Sequence, residues 1–235
     1  MLLGEKYVCT GMSRVSYQHQ LDRLGEDVLY MSEVVLDRLR LALAALEQKE
    51  ESMARRVIDG DDEINEQYLE LESDCIDLIA LQQPVASDLR FIAASFKIIT
   101  DLERIADLAV NLAEYSMAAD TDVLPEVDVQ AIGTAVTEML EDAMVAYADE
   151  DAELCYQLAD RDDVVDTRCE AASEMVVREL LGREESTDSR ALEAQLADIS
   201  RLLLTVRDLE RVGDHAVNIA SRSLYMIQND ADLLY

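Results

Sequence analysis

The sequence predicts an all-α protein made of two tandem three-helix bundles, and three observations carry that prediction. Helix breakers are scarce: 235 residues hold two prolines, Pro84 and Pro125, and seven glycines, too few for a loop-rich or all-β chain. There is no Trp, and Phe91 and Phe96 are the only phenylalanines. The core must therefore come from Leu, Ile, Val, Ala and Met, which build helix bundles more readily than sheets. The chain also repeats itself. Gly60–Asn65 (GDDEIN) lies over Arg161–Asp166 (RDDVVD) at an offset of 101, and Asp101–Ala113 (DLERIADLAVNLA) over Asp208–Ala220 (DLERVGDHAVNIA) at an offset of 107, with nine of those thirteen positions identical. This is an internal duplication, and the difference between the offsets falls between the second and third helices of the repeat.

The elements follow in order. An amphipathic pattern runs from Ser16 to Asp59, with Leu21, Leu24, Val28, Met31, Val35 and Leu39 recurring at helical spacing. Its length reads as a bundle spine or as a helix broken near Gly25. Gly60 supplies a turn, and Asp61 or Asp62 caps a second helix to about Gln82, which Pro84 stops. Ser87 and Asp88 cap a third helix reaching about Met117. The first bundle thus spans 17–119, a linker 120–126, and the second bundle 127–230. In that second half a fourth helix covers Val127 to Ala148 and a fifth Ala152 to Leu181, ending at Gly182. The polar stretch REESTDS then leads into a sixth from about Arg190 to Asn229. Short connections make successive helices antiparallel neighbours. Met31, Met53, Met139, Met144 and Met175 sit at core-like spacing. Residues 1–16 depart from the acidic helical pattern and read as an extension without fixed structure, with Met12 as an alternative start.

The charge balance narrows the function classes. There are 51 acidic residues against 20 basic ones, a net charge of −31, and all the basic residues except Lys6, Lys49 and Lys97 are arginine. Such a surface repels itself unless salt screens it, which reads as adaptation to the salt-rich cytoplasm of a halophile. It argues against nucleic-acid binding, which needs a positive face. Cys9, Cys75, Cys155 and Cys169 show no paired zinc-type spacing and read as reduced thiols of a cytoplasmic protein. No stretch approaches a membrane span or a signal peptide.

The best-matched repeat segment carries the chemistry. Helical residues four apart project from nearly the same side, so Glu103, Asp107, Asn111 and Glu114 form one stripe opposite Leu102, Ile105, Ala109 and Leu112. In the second half Glu210, Asp214 and Asn218 form the same stripe, followed by Ser221. Carboxylates stacked in this way repel by ~0.2–0.5 kcal/mol on an isolated helix, and a hard or borderline cation reverses the penalty. Two readings stand: a solvated acidic face, or a cation site. Arg104 and Arg211 follow Asp101 and Asp208 by three residues, the spacing of a structural ion pair. Asp162, Asp163, Asp166 and Glu170 make a denser acidic run than Asp61, Asp62, Asn65 and Glu66. Either set can complete a site, and a solvated helix start is the plainer reading of both. His215 lacks the Glu-x-x-His partner of a ferritin-like di-iron enzyme, since Val212 holds that place. No Gly-rich phosphate loop, Ser/His/Asp set or Cys/His set appears, so no catalytic residue is predicted.

The runs DGDDEIN (Asp59–Asn65), QQPVASDLR (Gln82–Arg90), DLERIADLAVN and DLERVGDHAVNIA resemble the PhoU family in order and spacing, over roughly Tyr17 to Met226. The resemblance implies two three-helix bundles side by side in a non-enzymatic regulator that restrains phosphate uptake and phosphate-starvation signalling. It implies a phosphate ABC transporter (its ATPase subunit) and a sensor protein as partners, and a homodimer as the assembly. It further implies metal, iron or zinc or similar, on the signature helices. Glu103 and Asp107 would be ligands on one bundle and Glu210 and Asp214 on the other, with Asp101, Asp208, Asn111 and Asn218 as second-rank candidates. Ala106 stands where the family's first copy has the glycine seen at Gly213, which puts the first site in question. Two other classes fit the same carboxylates: a metal-dependent enzyme or metal store, and a helical scaffold without metal.

Overall fold

The computed structural model describes residues 5–118, 127–182 and 189–229. Among them seven helices form: α1 (Glu5–Gln48), α2 (Glu51–Ile58), α3 (Asp61–Gln82), α4 (Ala86–Ala118), α5 (Val129–Asp149), α6 (Ala152–Gly182) and α7 (Ser189–Gln228). There is no strand among the described residues. α1 starts at Glu5 and so runs through most of the segment set apart as an extension. The linker 120–126 lies outside the described residues.

The first break differs from the sequence reading. α1 passes straight through Gly25 and ends at Gln48, because Lys49 turns left-handed at φ 52°. Glu150 does the same after α5, at φ 54°, and lies 101 positions further on. The stretch 51–58, read as the end of the first helix, therefore belongs to the second. In the second half α6 covers the corresponding residues as one unbroken helix, whereas the first half divides them into α2 and α3. The division is made by Arg38, which reaches from α1 into the turn at Gly60. Its guanidinium donates to the Arg56 carbonyl at 3.3 Å and to the Glu63 carboxylate at 2.9 Å. A Cβ on Gly60 would stand 2.5 Å from Arg38 Cζ, so glycine makes room for the arginine. In the second half that position is Arg161, which pairs with Asp142 and Glu138 of α5 and leaves α6 continuous.

The caps also shift. Asp61 and Asp62 lie inside the first turn of α3, after Gly60, and favour the helix by charge near its N-terminus rather than by capping. Ser87 and Asp88 likewise fall within α4, which opens at Ala86. Asp128 caps α5, accepting from the Ala131 N–H at 2.9 Å. Gln83, left-handed at φ 49°, ends α3 just before Pro84.

The predicted core is found where periodicity put it. Leu21, Leu24, Val28, Met31, Val35 and Leu39 are buried on α1, and Leu102, Ile105, Ala109 and Leu112 on α4. Met139 and Met144 are buried and Met53 packs at the core's edge, but Met175 is exposed on α6. Cys75, Cys155 and Cys169 are buried free thiols.

Two bundles, α1–α4 and α5–α7, sit side by side, joined where α4 packs on α7 and α1 on α5. α4 and α7 run antiparallel: Asp101 meets His215 at 2.9 Å, and Tyr115 donates to Asp208 at 3.0 Å. The halves are thus related by an approximate two-fold axis passing near Ala106 and Gly213. Across the α4–α5 contact, the Ser95 hydroxyl donates to the Phe91 carbonyl at 2.9 Å, which leaves its Oγ to accept from the Tyr147 hydroxyl at 2.7 Å. Tyr147 also stacks on Phe91, with ring centroids 6.1 Å apart. Loss of one satisfied buried hydrogen bond costs about 1 kcal/mol. Tyr147→Phe, which keeps the stacking, is expected to lower unfolding stability by that amount in a urea titration. An unchanged midpoint would show that the bond contributes nothing to joining the bundles.

Candidate metal centre

The carboxylates of the second half converge. α6 begins at Ala152, so Asp162 and Asp166 lie in mid-helix, one turn apart, and not at a solvated helix start. α7 brings Asp214 against them, and one oxygen from each of Asp162, Asp166 and Asp214 lies within 4.8 Å of the others. Glu210, one turn earlier on α7, faces a cleft lined also by Asp163, Asp166, Thr167 and Glu170. Asp162 is the inner member. Its Oδ1 is buried and has no hydrogen-bond partner, and a Cβ on Gly213 would stand only 3.2 Å from it. Glycine at 213 is what lets this carboxylate lie close against α7.

Electrostatics register the crowding. Burial, then the charges of Asp166 and Asp214, push the Asp162 carboxyl up to about 7. Burial and Asp166 also raise Glu210 and Asp214 above the usual carboxylate range. The buried Cys169 thiol is pushed up to about 12 by burial and by the nearby Glu210 and Asp166, so it stays protonated beside the cluster. Arg211 and His215 lie near enough to Asp214 to offset part of its shift, and the all-oxygen donor set suits a hard metal ion, such as magnesium, manganese, calcium or iron, better than a soft one. Four carboxylates offer enough oxygens to hold one.

The first half has the same scaffold with its charge answered from within. Asp61 on α3 and Glu103 and Asp107 on α4 face one another. Burial followed by the Asp107 charge raises both Asp61 and Glu103. Asn65 stands where the second half has Asp166, and its amide donates to Asp61 at 2.9 Å. Arg104 lies 3.5 Å from Glu103 and 3.4 Å from Asp107. The spacing suggested an Arg104–Asp101 pair, yet Arg104 turns to the stripe instead. Arg211, its counterpart, keeps the expected pairing with Asp208 at 3.9 Å.

The second-rank candidates divide. Asp101 and Asp208 point into the α4–α7 seam: Asp101 holds His215, and the fully buried Asp208 accepts from Tyr115 and from Arg207 at 2.7 Å. Neither is placed to hold an ion with the stripes. Asn111 and Asn218 stay half-buried further along α4 and α7, and Glu114 is exposed. Of the four primary candidates, Glu103 and Asp107 share a site with Asp61, and Glu210 and Asp214 share one with Asp162 and Asp166. These α3 and α6 members were visible in the sequence only as acidic runs. The signal that separates them is the repeat itself, which sets Asp166 against Asn65 and Gly213 against Ala106.

The crowding fixes a pH dependence. Asp162 holds its proton in the folded chain to about 7, while an unfolded aspartate releases it near ~3.9. Between those values the folded state binds more protons, so stability falls as pH rises through the interval and levels off above it. In chelator-treated protein, urea midpoints are expected to drop from pH 5 to pH 8. Asp166→Asn, which removes the neighbouring charge that acts most strongly on Asp162, is expected to make the drop smaller. An identical drop in both proteins would contradict the cluster's mutual repulsion.

Comparison with known proteins accords with this architecture. The PhoU domain family matches residues 28–116 and 129–223, two blocks related by the two offsets of the internal repeat. Among curated relatives, a phosphate-specific transport system accessory protein PhoU homolog of Clostridium acetobutylicum is 31% identical over 219 residues, covering 92% of this chain and 96% of its own. A PhoU homolog 1 of Methanothermobacter thermautotrophicus is 33% identical over 217 residues, covering 91% and 95%. Among solved structures, PhoU from Pseudomonas aeruginosa superposes with a TM-score of 0.80 at 30% identity, covering 91% of this chain and 100% of that one. The phosphate transport system regulatory protein PhoU from Streptococcus pneumoniae superposes with a TM-score of 0.82 at 26% identity, covering 92% and 98%.

Proposed function

This chain belongs to the PhoU family, and from that premise we propose that it is a non-enzymatic accessory protein of a phosphate-specific transport system. It acts in the cytoplasm, restraining uptake through a phosphate ABC transporter by contact with the transporter's ATPase subunit, and restraining phosphate-starvation signalling by contact with a sensor protein. The observation that carries the accessory role is the match of relatives so named over more than nine-tenths of this chain. No helix among the described residues is long and apolar enough to cross a membrane, which fits a protein that works on a transporter without being part of its pore. Deleting the gene is expected to raise phosphate uptake and starvation-gene expression during phosphate-rich growth. Unchanged uptake and expression would contradict the regulatory role.

The second part of the proposal concerns the ion. A di- or trivalent cation binds the second-half cluster through Asp162, Asp166, Asp214 and Glu210, and the oxygen-only set favours iron or another hard ion over zinc. Two features support this half over the other: the unpartnered Asp162 oxygen, and an Arg211 that pairs with Asp208 where Arg104 pairs with Glu103 and Asp107. Glu103 and Asp107 remain the weaker site, with Arg104 already paired to both carboxylates. The ion's work is structural. It would remove the repulsion between α6 and α7 and so set the shape of the surface that meets the transporter.

Equilibrium dialysis against manganese in high-salt buffer tests the assignment. Glu210→Gln/Asp214→Asn is expected to weaken binding at least tenfold, and Glu103→Gln/Asp107→Asn to change it less than threefold. Equal losses in the two variants, or none in the first, would overturn it.

A further inference from the structure

Large apolar side chains stand exposed at the closed end of each long hairpin. In the first half these are Ile76 and Ile79 on α3 and Val85 and Leu89 at the start of α4, exposed by 42–63%. In the second half they are Val177 and Leu180 on α6 and Leu192 and Leu196 near the start of α7, exposed by 37–47%. The two sets are in register: 101 positions separate the α3 pair from the α6 pair, and 107 separate the α4 pair from the α7 pair. These are the offsets of the acidic segments. The halves have diverged at Asn65 and Asp166 and at Ala106 and Gly213, yet both keep four water-facing apolar groups where a bundle needs none. Exposed apolar groups concentrated near one end of a hairpin point to an interaction surface, and their recurrence at matched positions of both repeats points to the same task twice.

The fold decides how the two surfaces are arranged. α4 and α7 are antiparallel, so the start of α4 lies beside the end of α7, where Ser87 and Asp88 share a groove with Met226 and Ile227. The hairpin ends therefore point in opposite directions. Leu89 and Leu196 each lie 17 residues before the crossing at Ala106 and Gly213, which at ~1.5 Å per helical residue sets the two ends roughly 50 Å apart.

This arrangement selects the occupant. If the ends paired with those of other copies, opposite-facing contacts could not close, and the chain would grow into filaments. A net charge of −31 per chain opposes that growth. A closed homodimer must use another face. Exposed acidic residues flank both ends: Asp74 and Asp77 at the first, beside an Arg23 that is paired with Asp27 at 3.3 Å, and Glu174 and Glu179 at the second. Arg178 is tied to Glu174 at 3.8 Å. Such a rim suits an apolar surface edged with Lys or Arg. We propose that the chain is bivalent: its α3–α4 and α6–α7 hairpin ends are equivalent docking surfaces, each taking one copy of the same apolar, basic-rimmed partner subunit. The identity of that subunit rests on the function proposed above, which makes it the transporter's ATPase subunit.

Stoichiometry tests this, with the purified ATPase subunit of the source organism's phosphate transporter as probe and light scattering after size exclusion as readout. The unaltered chain is expected to carry two subunits. Ile79→Glu/Leu89→Glu and Leu180→Glu/Leu196→Glu should each leave one, and all four substitutions none. Every altered site is exposed, so helix content by circular dichroism should not change. Two subunits retained by either pair variant, or both lost through one pair, would overturn the inference while leaving the transporter as partner. Filaments formed by the chain alone and abolished by the same substitutions would overturn it in favour of self-pairing. No binding by the unaltered chain would overturn both this inference and the choice of partner, whereas the accessory role itself stands or falls on the deletion phenotype.

Discussion

A buried polar atom left without a partner costs about 1–3 kcal/mol, more when charged, and the second bundle carries such an atom at the centre of its acidic cluster. Asp162 Oδ1 is closed off from water and has no donor, and the Asp162 carboxylate lies beside those of Asp166 and Asp214. The arrangement persists because the surrounding fold over-determines it. α6 is unbroken through this region, its Arg161 is held against α5 by Asp142 and Glu138, and Gly213 removes a Cβ that would crowd the carboxylate. At neutral pH a proton on Asp162 partly answers the charge. A cation would answer it fully, and the cluster is built of the oxygen ligands that hard cations take.

The first bundle shows what the same scaffold does when charge is answered by side chains. Asn65 donates to Asp61, and Arg104 lies against Glu103 and Asp107. Two substitutions relative to the other half, Asn for Asp and Ala for Gly, together with a redirected arginine, therefore separate a self-neutralised site from an open one. The arginine is redirected because of the seam. Arg211 stays with Asp208, which is fully buried and needs donors, while Asp101 in the first half is occupied by His215. The asymmetry of the sites thus follows from how α4 and α7 meet, since each helix supplies both seam contacts and cluster ligands.

Much of the fold was legible in the sequence. Scarce breakers, the core periodicity of α1 and α4, and the duplication led to the helices and their pairing into halves. The end of α1 was not read correctly, because 51–58 continues an amphipathic pattern and Lys49 is no conventional helix stopper. Extending the repeat backward would have found it, since Gln48–Lys49–Glu50 lies over Asp149–Glu150–Asp151. The site was half legible. Residue spacing finds Glu103, Asp107, Glu210 and Asp214, because one helix carries each pair. It does not decide which α3 or α6 residues face them, nor that Asp101 and Asp208 turn into the seam, because those outcomes depend on the packing of separate helices. Met175 illustrates the same limit, sitting at core spacing on a helix whose buried face lies elsewhere.

The inequality of the two acidic sites sets the second bundle apart from the first. Its most direct test is anomalous diffraction from crystals of this chain grown with manganese. An ion bound by Asp162, Asp166 and Asp214, with none at Glu103 and Asp107, is the predicted result. Equal occupancy of both sites, or an ion at Glu103 and Asp107 alone, would contradict the claim that Asn65 and Arg104 close the first site while Asp166 and Gly213 open the second.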